Sequence, residues 1–275
     1  PSTATLRVST KSADVAQGLT ELINAWTTEN VADASAAVQL SADADSVVLT
    51  IKTLDQATAA ISAVQRLTSG NSRRDSMNSL KQIALAMHNF HDQYSYFPPQ
   101  ALADSKGRRM LSWRVMILPY LDQAPLYNEF HLDEPWDSEH NRQLIAKMPA
   151  VYRSKSRPGV KNEPGTTCFV APLTLSSAFG RVGPGVGIRE IIDGTSNTLM
   201  IVEASAGKSM VWTKPEDVTI DEADPLHSII NQDAEGFTAC LCDGSARFFP
   251  KTIDATTLKA LLSINGGEVI DQNKL

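Results

Sequence analysis

Cysteine is scarce in this chain of 275 residues, which contains only Cys168, Cys240 and Cys242. Their spacing matches neither a zinc knuckle nor a CxxC redox pair. Cys240 and Cys242 would point to the same face of a strand, so at most one of them could form a disulfide with Cys168. The sequence favours buried thiols, leaves the pairing open, and gives no sign of a metal site or a cofactor.

Long apolar runs and basic stripes are absent as well. No run approaches the roughly 18 residues that a membrane span needs, and there is no apolar signal-peptide core. Because the sequence starts at Pro1 rather than Met, an export signal or anchor removed by processing is compatible with it. A net charge of −6 with interspersed signs disfavours nucleic acid as a partner. We therefore expect no transmembrane segment and no nucleic-acid interface.

The first ninety residues contain clear strand and helix patterns. Residues 5–9 read as a strand, 14–29 as an amphipathic helix, and 36–42 with 46–52 as a hairpin. A helix over 55–67, the interruption TSGNS and a second helical run to Tyr94 follow. We predict a β-α-β-β unit over residues 1–54 and a second domain over 55–275. The fold class is α+β, with a long helix packed on an antiparallel sheet.

Short segments and long loops fill the chain after Phe97. The segment 111–130 reads as a helix or as strand-loop-helix, and another helix is predicted near 139–148. Residues 154–187 read as loops, 197–204 and 236–249 as strands, and 256–264 as the last helix. Asp243-Gly244 between two β-favouring runs predicts a hairpin with a type I′ turn.

His88 and His91 form an HxxH pair on the predicted long helix. The helical wheel places His91 near the centre of the apolar stripe and His88 on its flank, so we expect His91 to be buried with a hydrogen-bond partner. A zinc site is disfavoured because helical zinc sites use an i, i+4 pair with an intervening glutamate.

Other enzyme signatures are incomplete. EASAG (203–207) carries Glu203 where a nucleophile elbow needs glycine, and the SxxK of Ser205 and Lys208 lacks its companion motifs. GPGVG (183–187) has the wrong spacing for a dinucleotide site and predicts a flexible loop. The calcium-like run from Asn231 has Cys242 at its twelfth position instead of glutamate.

The remaining candidates are loop aromatics with neighbouring polar groups. Such side chains could stack on a sugar, a peptide or a small solute. In the alternative reading, the tryptophans pin loops onto the core and the carboxylates cap turns. The candidate ligand-binding residues are Trp113, Trp136, Asp137, His140 and Trp212.

Six motifs occur here in the order seen in the planctomycete family DUF1559, and the resemblance covers roughly residues 63–270. They are NSLKQIALAMHNFHDQYSYFPP, SWRVMILPYLDQAPLYNEF, PWDSEHN, DGTSNT, WTKPED and CDGSARFF. The resemblance implies a pseudopilin-like fold, in which a long N-terminal helix lies against an antiparallel sheet, and an exported protein. A prepilin-like leader and a final H-X9-DG domain are common in the family, for which solute binding is one suggested role. The resemblance also implies a structural role for the motif residues His88, His91, Asp193, Gly194, Asp243 and Gly244.

This chain departs from the family pattern in three ways. The leader and its apolar span are missing around residues 63–74, and residues before 55 supply an appended unit. The histidine expected before the final Asp-Gly, with nine residues between them, is replaced by Asp233. We therefore expect a soluble exported variant.

The leading hypothesis is an exported, non-enzymatic structural or interaction module of the cell envelope, with envelope proteins or glycans as partners. The alternative is a protein that binds a glycan or small solute through the loop aromatics. A hydrolase is less favoured, because it would need Asp137, His140, Glu203 or Asp243 to converge in one cleft.

Overall fold

The computed structural model describes the backbone of residues 4–9, 38–43, 46–51 and 54–71. It describes residues 72–270 in full, except 155–163, 182, 233, 269 and the side chain of 206. The chain forms two compact units, Pro1–Gly70 and Asn71–Leu275. The domain boundary predicted at residue 54 stays a prediction. Asp233, where the family histidine was expected, lies outside the described residues.

Three strands of the first unit form an antiparallel sheet in the order β1-β3-β2. They are β1 (Ala4–Ser9), β2 (Val38–Asp43) and β3 (Ser46–Ile51). Ile51 at the end of β3 pairs with both Ala4 and Val38. The predicted strands and hairpin are thereby confirmed, whereas the predicted helix over 14–29 lies outside the described residues.

A single helix, α1, runs from Leu54 to Tyr94 over 41 residues. The predicted interruption at TSGNS is wrong. One glycine in a helix interior costs only about 1 kcal/mol relative to alanine, and an established helix propagates easily where no proline stands in its path. The helix ends where Ser95 adopts a positive φ of 68° ahead of Phe97-Pro98-Pro99. Within the described residues, no helix is long and apolar enough to cross a membrane.

The second unit continues with short elements. They are, in chain order, β4 (Ala101–Ala103), β5 (Arg109–Ser112), α2 (Trp113–Met116), α3 (Ala124–Glu129), α4 (Glu139–Leu144), β6 (Thr166–Thr167), β7 (Phe169–Val170), β8 (Pro172–Leu173), β9 (Leu199–Glu203), β10 (Met210–Val211), β11 (Val218–Thr219), α5 (Pro225–Ile229), β12 (Gly236–Leu241), β13 (Ala246–Pro250) and α6 (Ala255–Leu262). The segment 111–130 is therefore strand-loop-helix, with a 3-10 turn at Leu118–Leu121 between α2 and α3.

The main sheet of this unit is antiparallel, in the order β13-β12-β9-β7, and the predicted α+β class is confirmed. Cys240 and Cys242 belong to the same hydrophobic cluster as the buried face of α1. Phe237, Ala239 and Leu241 pack instead with α5 and α6. Because both faces are covered, every residue of β12 is buried and the polar alternation of a one-sided sheet is lost.

The helix α1 runs along the strands of this sheet. The guanidinium of Arg73 lies 3.6 Å from the ring centre of Phe248, and the Ser76 hydroxyl donates a hydrogen bond to Glu203 at 2.7 Å. Further along α1, the His88 ring lies beside Gly244 in the turn between β12 and β13. These contacts fix the C-terminal half of α1 against the sheet and so determine where its last turn lies.

Asp243 and Gly244 do form the predicted hairpin turn, but its type differs. Gly244 has a φ of 85°, whereas Asp243 is not among the residues with positive φ, so the type I′ prediction is wrong. The Asp243 carboxylate accepts from the backbone N–H of Ser245 at 2.8 Å, and its own N–H donates to the Thr195 carbonyl at 3.0 Å. This Asx-type bond stabilises the turn, and the positive φ falls on Gly244.

The three cysteines are buried thiols, as the sequence favours. Burial raises the pKa of Cys240 to about 12 and that of Cys242 well above its ordinary value. Both thiols are therefore protonated and unreactive in the folded chain.

Candidate functional site

A cluster of aromatic rings surrounds the last turn of α1. Phe90 and Tyr94 are one helical turn apart, and their ring centres lie 4.4 Å apart. Phe90 also lies 6.1 Å from Tyr96, just after the helix, and 6.1 Å from Tyr120 in the 3-10 turn. The tyrosine surface, as we name it, consists of Phe90, Tyr94, Tyr96, Tyr120 and Tyr127. It joins the first family motif to the second.

The tyrosine surface combines a buried base with accessible rings. Phe90 is 5 % exposed, Tyr94 is 45 % exposed, and Tyr96, Tyr120 and Tyr127 are half-buried. Burial raises the pKa of Tyr120, and the neighbouring Tyr94 raises it further. Burial and then Tyr94 likewise raise the pKa of Tyr127. The hydroxyl groups of Tyr120 and Tyr127 therefore keep their protons at physiological pH.

A carboxamide at the edge of this surface has a fixed orientation. The Tyr120 hydroxyl donates a hydrogen bond to Oε1 of Gln93, and the Gln93 side chain is exposed. Because that bond turns the oxygen toward Tyr120, the Nε2 group with its two N–H donors lies on the other side of the carboxamide. The surface thus presents two oriented N–H donors beside its rings.

The glycine-rich segment GPGVG lies directly against the chain that follows α1. The N–H of Phe97 donates to the carbonyl of Val186 at 2.9 Å. A Cβ on Gly185 would lie 1.7 Å from the Phe97 carbonyl oxygen, so only glycine permits this approach. The segment was predicted as a flexible loop, but Gly185–Val186 is packed backbone that supports the turn carrying Tyr96.

His88 and His91 lie in the last two turns of α1, just before this turn. His91 is half-buried, where we expected full burial, and its Nε2 accepts a hydrogen bond from the Ile188 N–H at 3.2 Å. Burial lowers the pKa of His91, with Asp92 opposing and His88 adding to the shift. The His88 ring meets Phe97 edge-on at 5.3 Å. Within the described residues its buried Nε2 has no hydrogen-bond partner.

Two of the predicted ligand-binding tryptophans are fully buried. The indole N–H of Trp113 donates to the Asp217 carboxylate, at 3.2 Å from Oδ2. The indole N–H of Trp212 donates to the Ile145 carbonyl at 3.0 Å, and its ring packs 5.8 Å from Tyr152. Neither side chain offers a face to a ligand in this conformation. Each indole N–H joins its ring to a neighbouring segment, and the assignment of both residues to ligand binding stays a prediction.

Trp113 contacts a buried ion pair that sequence reasoning missed. The Arg114 guanidinium lies 2.6 Å from Asp217, and both side chains are fully buried. The same guanidinium donates to the Phe169 carbonyl and to the Ser112 hydroxyl. All contacts of the Asp217 carboxylate are donors, which favours the ionised form, although burial itself raises the pKa of Asp217.

The other three predicted binding residues lie in the PWDSEHN segment. Trp136 is half-buried, with the Lys214 ammonium 5.7 Å from its ring, and Asp137 is exposed. The His140 ring stacks on His131 at 3.6 Å with an interplanar angle of 1°. Nε2 of His140 lies 2.7 Å from a backbone carbonyl and therefore carries a proton. Their assignment to ligand binding stays a prediction.

The buried side chain of Asn141 holds that segment together by hydrogen bonds. Its buried carboxamide donates to the carbonyls of His131, Glu134 and Pro135 at 2.9, 3.2 and 3.1 Å. Its oxygen accepts from the His131 N–H at 3.0 Å. One side chain therefore closes the whole loop, a role that the spacing of the motif does not reveal.

Asp193 closes another turn. Its carboxylate accepts hydrogen bonds from the N–H groups of Gly266 and Gly267 at 2.6 and 2.8 Å. Gly194 beside it has a φ of 93°, which favours glycine. These two motif residues hold the segment after α6 to the loop that precedes β9.

The candidate hydrolase residues belong to separate hydrogen-bond networks. Glu203 is buried and accepts from Ser76 and Ser154, whereas Asp243 accepts within its own hairpin turn. Asp137 and His140 belong to the loop closed by Asn141. Among the residues that the structure describes, no group of three or more His, Cys, Asp and Glu side chains is placed to hold a metal ion.

Comparison with known proteins gives one finding. No curated protein and no solved structure matches the chain. A family model described as "Protein of unknown function (DUF1559)" matches residues 72–232, which is more than half of the chain and includes all of the tyrosine surface. The chain therefore belongs to the DUF1559 family.

Proposed function

We propose that this protein is an exported, non-catalytic, pseudopilin-like module of the cell envelope, and that it binds an envelope partner through the tyrosine surface. The observation that carries the proposal is the convergence of two family motifs on one group of rings at the end of α1, of which Tyr94 is exposed. Tyrosine supplies a large contact area at a low cost in conformational entropy, which suits a recognition surface.

The charged motif residues contact other groups inside the fold, which supports a binding role over a catalytic one. Asp217 and Arg114 neutralise each other in the core, and the Glu203 carboxylate is occupied by two hydroxyl donors. Catalysis by such groups would need them to face a substrate within hydrogen-bond reach. These charged groups instead join separate segments of the core.

The arrangement of α1 along an antiparallel sheet supports the pseudopilin-like part of the proposal, and the family resemblance supports export. The first test is fractionation of the native organism with an antibody against the chain. We expect the protein with the envelope or outside the cell. Recovery in the cytosol alone would overturn the proposed location.

The second test measures binding of the purified chain to isolated envelopes of the native organism. We expect Tyr94→Ala to reduce the bound fraction at least about fivefold, because binding energy concentrates in central aromatic side chains. Leu175→Ala is the matched control, since Leu175 is 97 % exposed and lies outside the surface. Equal binding by wild type and Tyr94→Ala would contradict the proposed surface.

A further inference from the structure

We infer that the tyrosine surface recognises a neutral carbohydrate, and this inference rests on the proposed function. An accessible ring at Tyr94, a group of phenol hydroxyls and the oriented carboxamide of Gln93 lie side by side. A sugar ring has an apolar C–H face and a rim of hydroxyls, so it can stack on an aromatic ring while it exchanges hydrogen bonds with neighbouring polar groups.

The charges of the two contributing segments favour an uncharged ligand. Residues 88–99 and 115–130 contain no lysine or arginine, and they contain the carboxylates of Asp92, Asp122 and Glu129. An anionic polysaccharide or a phosphorylated ligand would find no counter-charge within them and would be repelled. Glu129 is already paired with Lys147, so the segments do not form a strong anionic field either.

Hydrogen-bonding capacity also fits a polyhydroxyl ligand. The Nε2 group of Gln93 offers two donors, and the hydrogen bond from Tyr120 to the oxygen orients them. Burial raises the pKa of Tyr120 and Tyr127, so both phenols keep their protons. Tyr120 donates its proton to Gln93 and can accept from a sugar hydroxyl, whereas Tyr127 can donate as well as accept. Sugar hydroxyls can satisfy such mixed donors and acceptors without any change of charge.

The packing of the rings disfavours two other ligands of aromatic surfaces. A quaternary ammonium group needs rings that stand apart to form a cage around it. A proline-rich segment needs an aromatic-lined groove. Here the ring centres lie 4.4 to 6.2 Å apart, so the rings pack against each other rather than around a space. We therefore favour stacking on the outer face of Tyr94.

The direct test titrates the full chain with cellohexaose and chitohexaose by calorimetry and by NMR, with polygalacturonate, decaproline and choline as comparison ligands. We expect saturable binding of at least one neutral hexasaccharide and weaker binding of the three comparison ligands. Absence of saturable binding by both hexasaccharides would overturn the inference, as would tighter binding of decaproline, choline or polygalacturonate.

Three variants locate the site. Tyr94→Ala should weaken hexasaccharide binding at least about tenfold, whereas Tyr94→Phe, which keeps the ring, should weaken it less. Gln93→Glu replaces the two donors by an acceptor and should weaken binding about fivefold. Leu175→Ala should bind like wild type. If Tyr94→Ala binds as tightly as Leu175→Ala, the site is elsewhere and the inference fails.

The envelope assay separates failure of the ligand class from failure of the proposed function. Periodate cleaves polysaccharides that have vicinal diols, chitinase cleaves chitin-type chains, whose internal residues have none, and protease removes envelope proteins. Loss of Tyr94-dependent binding after periodate or after chitinase supports the carbohydrate. Loss after protease alone would overturn the carbohydrate while leaving the envelope-binding module in place.

Discussion

Arg114 and Asp217 form an ion pair at 2.6 Å in which neither side chain is exposed to solvent. The pair joins α2 to the segment before β11, and Asp217 additionally accepts from the Trp113 indole and from the Ala171 N–H at 2.8 Å. Breaking a buried pair from one side leaves an uncompensated charge, which costs far more than the intact pair contributes.

Arg114→Met should therefore lower the free energy of unfolding by about 3–5 kcal/mol, measured by urea denaturation. Arg108→Met is the control, because Arg108 pairs with Asp104 at the surface and its side chain is 70 % exposed. We expect that control to unfold like wild type. Equal midpoints for both variants would show that the buried pair does not contribute to stability.

Gly185→Ala should disrupt the chain that follows α1, because its Cβ would lie 1.7 Å from the Phe97 carbonyl oxygen. We expect a loss of at least about 1–3 kcal/mol in the free energy of unfolding, together with shifted NMR signals from Tyr96. Gly207→Ala is the matched control, since no atom lies within 4 Å of its added Cβ. If Gly185→Ala leaves the free energy of unfolding unchanged, the loop shifts to accommodate the added Cβ without loss of stability.

The pH dependence of stability should include a contribution from His91. Burial lowers its pKa in the folded chain, so the unfolded chain binds the proton more tightly. The stability contribution is complete above the unfolded pKa of about 6.5 and is lost as the pH falls from there through the lowered folded pKa. Protonation of Nε2 would also remove the acceptor of the Ile188 N–H.

We expect the denaturation midpoint of wild type to fall between pH 7 and pH 5, and His91→Gln to flatten this slope. The amide oxygen of glutamine can still accept from a backbone N–H but does not titrate. The measurement is a series of denaturant titrations across that range. Identical slopes for the two proteins would show that His91 is not responsible.

Asn141→Ala should open the loop that carries His131 and Pro135, because three carbonyls lose their donor. We expect a loss of about 1–3 kcal/mol in the free energy of unfolding and faster amide hydrogen exchange over residues 131–135. Asn128→Ala, at an exposed position of α3, is the control. Unchanged exchange in Asn141→Ala would contradict the role assigned to this carboxamide.

Local patterns in the sequence predicted the regular elements well. The apolar stripe of α1, the strands β9 and β12 and the hairpin at Asp243-Gly244 each depend on neighbours within a few residues. The predicted interruption at TSGNS is wrong. Glycine and serine weaken a helix locally, but the long helical segments on both sides keep these residues helical. The turn type differs from the prediction because the Asp243 side chain forms an Asx-type hydrogen bond with the Ser245 N–H, which the Asp-Gly dipeptide alone does not reveal.

The candidate site could not be predicted in the same way, because its parts come together only in the folded chain. Tyr94 and Tyr120 lie in different motifs, and the partners Arg114 and Asp217 are 103 positions apart. Trp113 and Trp212 were chosen for their size and loop positions, but large rings also fill a core well. A usable signal was the density of tyrosine in the first two motifs.

The buried thiols of Cys240 in β12 and Cys242 in the following turn can report when the sheet opens. Cys240 and Cys242 lie in the central layer and carry strongly raised pKa values, so a thiol reagent can modify them only after the sheet opens. The rate of modification under native conditions therefore measures how often β12 is released, without an introduced label. Comparing that rate between the variants above would separate local loosening of the surface from opening of the whole unit.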